Sequence, residues 1–383
     1  MAEVAFWFML LAVLPVPAAA TDDKQEKSNN KTWVSQIAKK TIFDVERAID
    51  ISEAVFPSKE EIRELEKGME LCEHGWFTSC LEGAKLHFRK WLPAGNPKAC
   101  IIWMHGISAH SGRAAIVDGK RKLDMPLQCE AWLKEGYALY AFDHYGHGYS
   151  EGLRWYVPNF ESNRDDYIEF TKMVAREHED GTPLILSGES YGGNLTLHVA
   201  KYFQENPEEA PKGFDSIILV APAIIPPELP PAPVVWLLTT LANYYPTWIP
   251  FFMPNPVSPD RIWRDPKVLA RFDSPRMHEM CIEGGGKPYR LKTAVSLLQS
   301  LDTVQKETIP GLKVPFCVVH GEKDEAVPIS GTEFLMEKAS TPKQDRVIKR
   351  QPEAFHDLMA DSVTEDTMQF MIDFVKKRVA SRK

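Results

Sequence analysis

The six residues Gly-Glu-Ser-Tyr-Gly-Gly at positions 188–193 are the strongest indication of chemistry in this sequence. They follow a short apolar run, 183–186, and precede a stretch with helical spacing. A serine with glycine two positions before and two positions after it is typical of a sharp strand-to-helix turn, because the glycines relieve crowding there. The N-terminus of the following helix favours developing negative charge. The pattern predicts that Ser190 is a catalytic nucleophile.

A serine hydroxyl is a poor nucleophile without a general base. Where this turn occurs in hydrolases, the acid and then the histidine follow the serine along the chain. The histidines beyond the helix after Ser190 are His278, His320 and His356. His278 lies in an irregular, proline-rich region, and His320 ends an apolar run, where a structural role is more common. His356 lies in a loop between a predicted strand and the C-terminal helix, and this placement predicts that it is the base.

The acid that orients the histidine is expected just after the apolar run 314–319. Three carboxylates follow this run: Glu322, Asp324 and Glu325. The preceding Gly321 allows the chain to fold back over the sheet edge, which favours Asp324. Its carboxylate would hold the histidine in the correct tautomer and stabilise the imidazolium. A surface turn with solvated acids is the alternative interpretation.

Two backbone N–H groups are needed to hold the oxyanion of an acyl-transfer reaction. The residue after the nucleophile, Tyr191, is expected to supply one of them. The other is expected from the loop after the first central strand, His-Gly-Ile-Ser at 105–108, in which the N–H of Ile107 is the natural donor. An ordinary turn at a strand end is the alternative for this loop.

These candidate residues lie between short apolar runs that alternate with helical stretches. Apolar runs without polar alternation fit strands that are covered on both faces, as in a parallel sheet. Alternating strands and helices predict an α/β fold with right-handed crossovers. The predicted strands are 81–91, 99–104, 137–142, 183–186, 216–220, 314–319 and 346–349, and the predicted helices are 127–134, 165–177 and 193–205.

The alternation stops at Pro222, and residues 222–309 are rich in proline and apolar side chains. Ligand sites of open α/β sheets lie at the carboxyl ends of the strands, and this segment leaves from such an end. We therefore expect an insertion that covers the site as a cap; a helical layer of the main core is the alternative. Its aromatic part, 234–252, could contact a lipid surface or line an acyl pocket.

The N-terminus combines an apolar, uncharged run at 4–20 with a polar stretch that begins at Thr21. Three alanines, 18–20, end the run in the manner of a signal-peptide cleavage site, although no Lys or Arg precedes it. Two prolines and the short length disfavour a membrane span. We expect a signal peptide at 1–20 and targeting to the secretory pathway; an uncleaved anchor and a buried helix are the alternatives. In a secreted chain, Asn30 is a potential glycosylation site.

The composition is that of an ordinary globular protein, with 44% hydrophobic and 26% charged residues. The net charge of −8 provides no basic surface, so no nucleic-acid partner is expected. No cofactor or metal is expected either, because His144 and His147 lie in a glycine-rich turn without a second cluster of ligands. Of the six cysteines, Cys72 and Cys80 could pair in an oxidising compartment.

Three motifs occur in a fixed order along the chain. They are His-Gly at 105–106 with His-Ser-Gly-Arg at 110–113, the run Asp-His-Tyr-Gly-His-Gly-Tyr-Ser-Glu-Gly at 143–152, and the serine turn at 188–193. Together they resemble the monoacylglycerol lipase group of serine hydrolases, most closely its plant and algal relatives of the lysophospholipase-like or serine-aminopeptidase-like kind. The resemblance extends from about residue 70 to the C-terminus.

The resemblance implies the α/β-hydrolase fold. This fold is a mostly parallel eight-stranded sheet with helices on both faces and a cap insertion after strand six. The expected divisions of the chain are a signal peptide at 1–20, a polar lead with helices at 21–69, the first part of the core at 70–221, the cap at 222–309 and the second part of the core at 310–383.

By motif position, the resemblance assigns Ser190, Asp324 and His356 to a catalytic triad and Ile107 and Tyr191 to an oxyanion hole. It implies hydrolysis of glycerol-linked acyl esters, foremost monoacylglycerol or lysophospholipid, through an acyl-enzyme and without a cofactor. Rival functions on the same triad are acyl transfer and the cleavage of small esters or peptides. A lipid-binding protein with a vestigial site is the alternative outside enzymes. The expected partner is a lipid or acyl-ester substrate, and the cap could contact a membrane peripherally.

Overall fold

A computed structural model provides the structure of the chain. It describes residues 36–39, 57–69, 71–117, 120–179, 181–251, 253, 255, 257–273 and 289–382. The predicted signal peptide, Asn30, His278 and Cys281 lie outside these described residues. All five residues that were predicted to take part in catalysis lie within them.

The strands in the described residues are, in chain order, β1 (Gln36–Lys39), β2 (Glu73–Thr78), β3 (Lys85–Trp91), β4 (Cys100–Met104), β5 (Ala114–Val117), β6 (Arg121–Asp124), β7 (Ala138–Phe142), β8 (Leu184–Glu189), β9 (Phe214–Val220), β10 (Phe316–Gly321) and β11 (Arg346–Gln351). Nine of them form one sheet in the order β1-β2-β3-β7-β4-β8-β9-β10-β11, and β5 pairs with β6 in a separate hairpin. In this order, the first three neighbouring pairs, from β1 as far as β7, are antiparallel. The remaining five pairs, from β7 and β4 to β10 and β11, are parallel. The expected mostly parallel sheet is confirmed, and the edge strand β1 brings the described sheet to nine strands instead of eight.

The helices in the described residues are α1 (Lys59–Leu65), α2 (Met125–Glu135), α3 (Phe160–Arg176), α4 (Tyr191–Glu205), α5 (Ala232–Tyr244), α6 (Pro259–Ile262), α7 (Pro266–Phe272), α8 (Leu291–Thr303), α9 (Ser330–Lys338) and α10 (Thr364–Ser381). A π-helical turn, Val304–Thr308, extends α8. The predicted helices 127–134, 165–177 and 193–205 correspond to α2, α3 and α4. The start of α3 has a capping residue, because Oδ1 of Asn159 accepts the N–H of Ser162 at 2.8 Å.

The central strands are buried on both faces. In β4, the side chains of Cys100, Ile102 and Met104 join one apolar cluster, and those of Ile101 and Trp103 join another. The first cluster includes residues of α3 and α4, and the second includes residues of α2 and α10. Because successive side chains of a strand point to opposite faces, a strand between two helical layers needs an apolar residue at every position. This explains the apolar runs without polar alternation.

The chain between β9 and β10 forms α5 to α8, and these helices differ in their surroundings. Ala242 is the one buried residue of α5, and Trp236 on the same helix is 69% exposed. In contrast, α8 has five buried residues, and the hydroxyl of Ser300 donates to Oδ1 of Asn194 on α4. Of the two interpretations of residues 222–309, a helical layer of the core describes α8, and an outer covering describes α5.

The five described cysteines are all free. Cys72 and Cys80 therefore do not form the disulfide that an oxidising compartment would allow. The Sγ atom of Cys80 instead donates to the Ser162 carbonyl oxygen at 3.3 Å. Among the helices of the described residues, none combines the length and the apolar character that crossing a bilayer requires.

Candidate active site

Ser190 occupies the turn between β8 and α4. Its φ of 55° and ψ of −119° lie in a region that residues other than glycine rarely adopt, so the turn is strained. Backbone hydrogen bonds hold this conformation. The Ser190 N–H donates to the Val220 carbonyl at 3.0 Å, and the Ser190 carbonyl accepts the N–H groups of Asn194 at 3.1 Å and Ala223 at 2.9 Å. The serine thus lies at the N-terminus of α4, whose dipole favours negative charge.

The glycines beside the serine are required by close contacts. A Cβ atom on Gly192 would lie 2.2 Å from the Met104 carbonyl oxygen, and one on Gly188 would lie 2.3 Å from the Gly192 carbonyl oxygen. A larger residue at position 192 would force the turn away from β4, and one at position 188 would collide with the first turn of α4. Gly106 approaches from the other strand end, since a Cβ atom there would lie 3.1 Å from Cβ of Ser190. The loop after β4 therefore packs directly against the serine.

His356 and Asp324 are hydrogen-bonded to each other. Nδ1 of His356 lies 2.7 Å from Oδ2 of Asp324. The second carboxylate oxygen, Oδ1, accepts the N–H groups of Ala326 at 2.9 Å and Val327 at 2.7 Å, so the carboxylate is fixed in orientation. Because Nδ1 is bonded to the aspartate, Nε2 is the ring nitrogen that remains for proton transfer.

The other carboxylates near this loop have a different environment. Glu322 and Glu325 are exposed, whereas the side chain of Asp324 is fully buried. A second histidine, His320, also contacts Asp324, with 3.2 Å between Nε2 and Oδ2. Nδ1 of His320 lies 2.7 Å from the hydroxyl of Thr332, which fixes the ring. His320 therefore supports the aspartate, a contact that the sequence did not indicate.

The charge states of the pair follow from their surroundings. Burial acts to raise the pKa of Asp324, but His356 and His320 hold it well below the ordinary value of a carboxyl group. Burial likewise acts to lower the pKa of His356, but Asp324 raises it above its ordinary value, and Glu189 and Asp357 add to the rise. Asp324 is therefore ionised at neutral pH, and the imidazole is able to accept and return a proton.

Ile107 and Tyr191 line the same cavity as Ser190. Tyr191 is the first residue of α4, so its N–H has no acceptor within the helix. Ile107 directly follows Gly106, which packs against the serine. Both residues thus adjoin the nucleophile, one along the chain and one across the turn. Backbone donors in these positions can hold an oxyanion.

Four buried charged side chains form a cluster, and two of them adjoin the nucleophile and the base in sequence. The cluster, called the Arg113 cluster below, consists of Arg113, Asp124, Glu189 and Asp357. The Arg113 guanidinium bonds Asp124, and its Nη2 atom lies 3.1 Å from Oε2 of Glu189 and 3.0 Å from Oδ2 of Asp357. Because Glu189 precedes the nucleophile and Asp357 follows the base, one guanidinium joins the two loops that carry them.

Three carboxylates face a single guanidinium in the Arg113 cluster, so its negative charge is in excess. Burial raises the pKa of Asp124 and of Glu189 above their ordinary values, although Arg113 opposes the rise. No role for this cluster was predicted from the sequence, even though Arg113 and Glu189 stand in two of the motifs. The signal that could have found it is a charged residue directly beside the nucleophile and another directly beside the base.

Asp357 also ties the insertion to the base loop. Its Oδ1 atom accepts the N–H groups of Met359 at 3.1 Å and Ala360 at 3.0 Å. Its Oδ2 atom accepts the indole N–H of Trp263 at 2.7 Å. Its own N–H donates to the carbonyl oxygen of Ile262 at 3.2 Å. The end of α6 is therefore held against the loop that carries the base.

Ser190 lies at the wall of a cavity of about 610 Å³, in the range of roughly 300–1,000 Å³ that is common for small-molecule sites. The wall is largely apolar, and most of its residues belong to the insertion. The apolar residues of the insertion in this wall include Ile225, Leu238, Met253, Val257, Leu297 and Leu301. A cavity of this size and character can hold an acyl chain next to the nucleophile.

The two histidines of the run at 143–152 belong to no group of three donor side chains that is close enough to hold a metal ion, as far as the described residues extend. The group that does come close enough there is Glu66, Cys72 and His74. Its glutamate is paired with Arg89 at 2.7 Å. None of these three residues lines the cavity at the serine.

Known proteins resemble this chain over most of its length. The family model of serine aminopeptidase, S33, matches residues 95–363. Monoglyceride lipase of Rattus norvegicus is 29% identical over 306 residues, which cover 78% of this chain and 89% of that protein. Caffeoylshikimate esterase of Arabidopsis thaliana is 30% identical over 263 residues, which cover 65% of this chain and 73% of that protein. The crystal structure of Paleococcus ferrophilus monoacylglycerol lipase has a TM-score of 0.60 at 21% identity and covers 76% of this chain and 99% of that one.

The family match spans well over half of the chain and contains every residue of the site described above. It includes Ser190, Asp324 and His356 in the order that hydrolases with this serine turn use. The structural likeness independently supports the α/β-hydrolase fold. The chain therefore belongs to the serine aminopeptidase S33 family of hydrolases, as an enzyme similar to the monoacylglycerol lipases.

Proposed function

We propose that this protein hydrolyses acyl esters of glycerol, foremost monoacylglycerol, through an acyl-enzyme on Ser190. The observation that carries the proposal is the convergence of three features. The serine lies in a strained turn at an apolar cavity of about 610 Å³, and His356 is bonded to Asp324 at 2.7 Å. The similarity to rat monoglyceride lipase supports a glycerol ester as the substrate class.

Acylation begins when Oγ of Ser190 attacks the ester carbonyl and Nε2 of His356 takes the hydroxyl proton. Asp324 stays ionised, because its pKa lies well below its ordinary value, and it stabilises the imidazolium. The N–H groups of Ile107 and Tyr191 donate to the oxyanion. The imidazolium then gives its proton to the leaving glycerol oxygen, and the acyl group remains on the serine.

Deacylation repeats these steps with water as the nucleophile. His356 removes a proton from water, and the oxygen attacks the acyl-enzyme carbonyl. The same two N–H groups hold the second oxyanion, and the proton returns to Ser190 as the fatty acid leaves. Acyl transfer would differ only in the acceptor, since an alcohol would replace water in this step.

The exposed side chains of the insertion support a proposal that the enzyme acts at a lipid surface. Leu229, Trp236, Tyr244 and Phe251 are all more than 60% exposed, although they are large and apolar. Aromatic side chains with an exposed polar edge suit the boundary between a lipid layer and water. The same insertion lines the cavity, so a lipid ester could pass from such a surface to the serine.

We further propose that the chain is targeted to the secretory pathway. The support is the uncharged apolar run at 4–20, followed by three alanines and a polar stretch. Expression in a secretory host followed by N-terminal sequencing should return Thr21 as the first residue. A protein that retains Met1 and sediments with membranes would instead indicate an uncleaved anchor.

The activity is tested by the hydrolysis of 1-oleoylglycerol and p-nitrophenyl butyrate by the purified protein and its Ser190→Ala variant. We expect the parent to release oleate, and the variant to be slower by about 10⁴-fold or more. Circular dichroism of both proteins controls for folding.

Three other outcomes would each support a rival function. Turnover of the short ester alone indicates an esterase for small substrates. Transfer of oleate to added glycerol indicates an acyltransferase. A folded parent that neither turns over these esters nor reacts with a fluorophosphonate probe indicates a lipid-binding protein.

A further inference from the structure

The cavity at the nucleophile contains a cation, Arg261, for which the described residues offer no partner. Arg261 lines this cavity, and within the described part of the chain its guanidinium has neither an ion pair nor a hydrogen bond. Asn255 lines the same cavity, and its Oδ1 atom is buried without a hydrogen-bond partner. Unpaired polar groups in an apolar cavity cost free energy that a ligand of matching polarity recovers. We call these two side chains the Arg261 corner.

The Arg261 corner is connected to the loop that carries the base. Arg261 belongs to α6, and the carbonyl of the next residue, Ile262, accepts the N–H of Asp357 at 3.2 Å. Trp263 follows, and its indole N–H donates to the same aspartate at 2.7 Å. Asp357 directly follows His356 in the chain. Arg261 is therefore one residue away from a direct contact with the base loop.

Part of the apolar wall of the cavity belongs to another element, α8. Leu297 and Leu301 line the cavity from α8, which is joined to the helix of the nucleophile by the bond between Ser300 and Asn194. The base must give its proton to the leaving alcohol, so the alcohol binds next to the base. This arrangement favours an acyl chain along α8 and an alcohol beside Arg261.

We propose that the Arg261 corner binds an anionic group on the leaving alcohol, so that the enzyme prefers acyl glycerols that carry a phosphate or a carboxylate. The inference rests on the proposed function and names the substrate class within it. A guanidinium forms paired hydrogen bonds with either anion, and Oδ1 of Asn255 accepts a hydroxyl of the glycerol. Glu228, the other charged side chain lining the cavity among the described residues, is exposed, so water and salt screen its repulsion.

The test compares substrates that share one oleoyl chain and differ only in the alcohol. They are 1-oleoylglycerol, 1-oleoylglycerol 3-phosphate and the oleoyl ester of glyceric acid. The full chain and its Arg261→Met and Arg261→Lys variants are assayed for kcat/KM. We expect Arg261→Met to lower kcat/KM for the preferred anionic ester by about tenfold to a hundredfold and for 1-oleoylglycerol by less than about threefold. Arg261→Lys should retain most of the preference, because it keeps the charge.

The two anionic substrates distinguish the sources of the charge. A preference for the phosphate ester identifies lysophosphatidate-like lipids, and a preference for the glycerate identifies carboxylate-bearing esters. Lys292→Met is the matched control, because it removes a cation from the insertion at a position that does not line the cavity. This control should leave the ratio of the anionic to the neutral substrate unchanged.

Two results would overturn the inference while leaving the proposed function intact. One is efficient cleavage of 1-oleoylglycerol without measurable cleavage of either anionic ester. The other is an equal loss for all three substrates in Arg261→Met, which would assign Arg261 a structural role. By contrast, failure of the parent on all three oleoyl esters, equal to that of Ser190→Ala, would contradict the proposed function itself.

Discussion

The catalytic floor, which consists of Ser190, His356, Asp324 and the Arg113 cluster, and the insertion that lines the cavity are built in different ways. On the floor, Ser190 and Asp324 lie at the ends of buried strands, and backbone hydrogen bonds fix their positions. In the insertion, α5 buries Ala242 alone and exposes Trp236. We therefore expect the reaction to depend on a part that tolerates little change, and the choice of substrate to depend on a part that can vary.

The two regions also differ in charge. The floor holds buried titratable groups in contact, namely the pair His356 and Asp324 and the neighbouring Arg113 cluster. Among the described residues, the cavity wall adds only two charged side chains, Glu228 and Arg261. Changes on the floor should therefore affect turnover, stability and pH dependence, and changes in the insertion should affect which substrate or surface is bound.

The largest effect is expected on the floor, for Asp324→Asn. The amide no longer selects the tautomer in which Nε2 of His356 accepts a proton, so kcat should fall by about 10³–10⁴-fold. The measurement is hydrolysis of 1-oleoylglycerol at saturating substrate. Glu322→Gln is the control, because this exposed carboxylate follows the same strand, and it should stay within about twofold of the parent. A variant at position 324 that keeps a tenth of the activity would refute the assignment of the acid.

The second effect concerns stability. Arg113→Met leaves three buried carboxylates without their cation, and the free energy of unfolding should fall by about 3–5 kcal/mol. Urea unfolding followed by circular dichroism measures it. Arg350→Met removes a half-exposed guanidinium and should change stability by less than about 0.5 kcal/mol. Equal unfolding midpoints for the two variants would show that the Arg113 cluster contributes nothing to the stability of the fold.

In the insertion, Trp236→Ser should weaken binding to vesicles of neutral phospholipid by about threefold to tenfold, because it removes one exposed aromatic anchor. Hydrolysis of p-nitrophenyl butyrate should not change, since the floor is untouched. Co-sedimentation with vesicles provides the measurement. Leu71→Ser is the control, because Leu71 is 74% exposed outside the insertion. Equal loss of binding in both variants would argue against a lipid surface formed by the insertion.

The smallest effect is a shift in pH dependence. The negative charge of Glu189 raises the pKa of His356, and the neutral imidazole is the active base. Removing that charge in Glu189→Gln should lower this pKa and move the acid limb of kcat/KM toward lower pH. Glu337→Gln, an exposed change on α9, should leave the limb in place. A shift toward higher pH would contradict the proposed electrostatic role of the Arg113 cluster.

The fold could be read from the sequence where the signals are local. Strands such as β4 and β7 are apolar at every position, because both of their faces are covered, and the turn at Ser190 requires glycine at fixed distances. The hairpin of β5 and β6 was not predicted, because its strands have four residues each and Arg121 and Lys122 interrupt the apolar pattern. The edge strand β1 also has four residues and no apolar run.

The parts of the site that escaped prediction depend on contacts between distant residues. Arg113 meets Asp124 and Glu189, which lie 11 and 76 positions away, and no local spacing indicates such a meeting. His320 ends a strand like many structural histidines, and only the fold of the following loop brings it to Asp324. Arg261 is likewise one of many charged residues in the sequence, and its position in the cavity becomes evident only when α6 is placed.

The strands before and after the insertion are direct neighbours. β9 and β10 pair in parallel, with Ile217 opposite Phe316 and Val220 opposite Val319, although the whole insertion separates them in the chain. Paired strands lie only about 5 Å apart, so a segment of almost any length can leave one and return to the other, at a closure cost that rises slowly with length. A protein engineer could replace α5 with an outer helix of another hydrolase while retaining α8 and α6, whose end contacts the loop that carries the base. The pairing of β9 with β10 would likewise allow related enzymes to acquire new substrates when recombination replaces part of the segment between these strands, with the reaction machinery left intact.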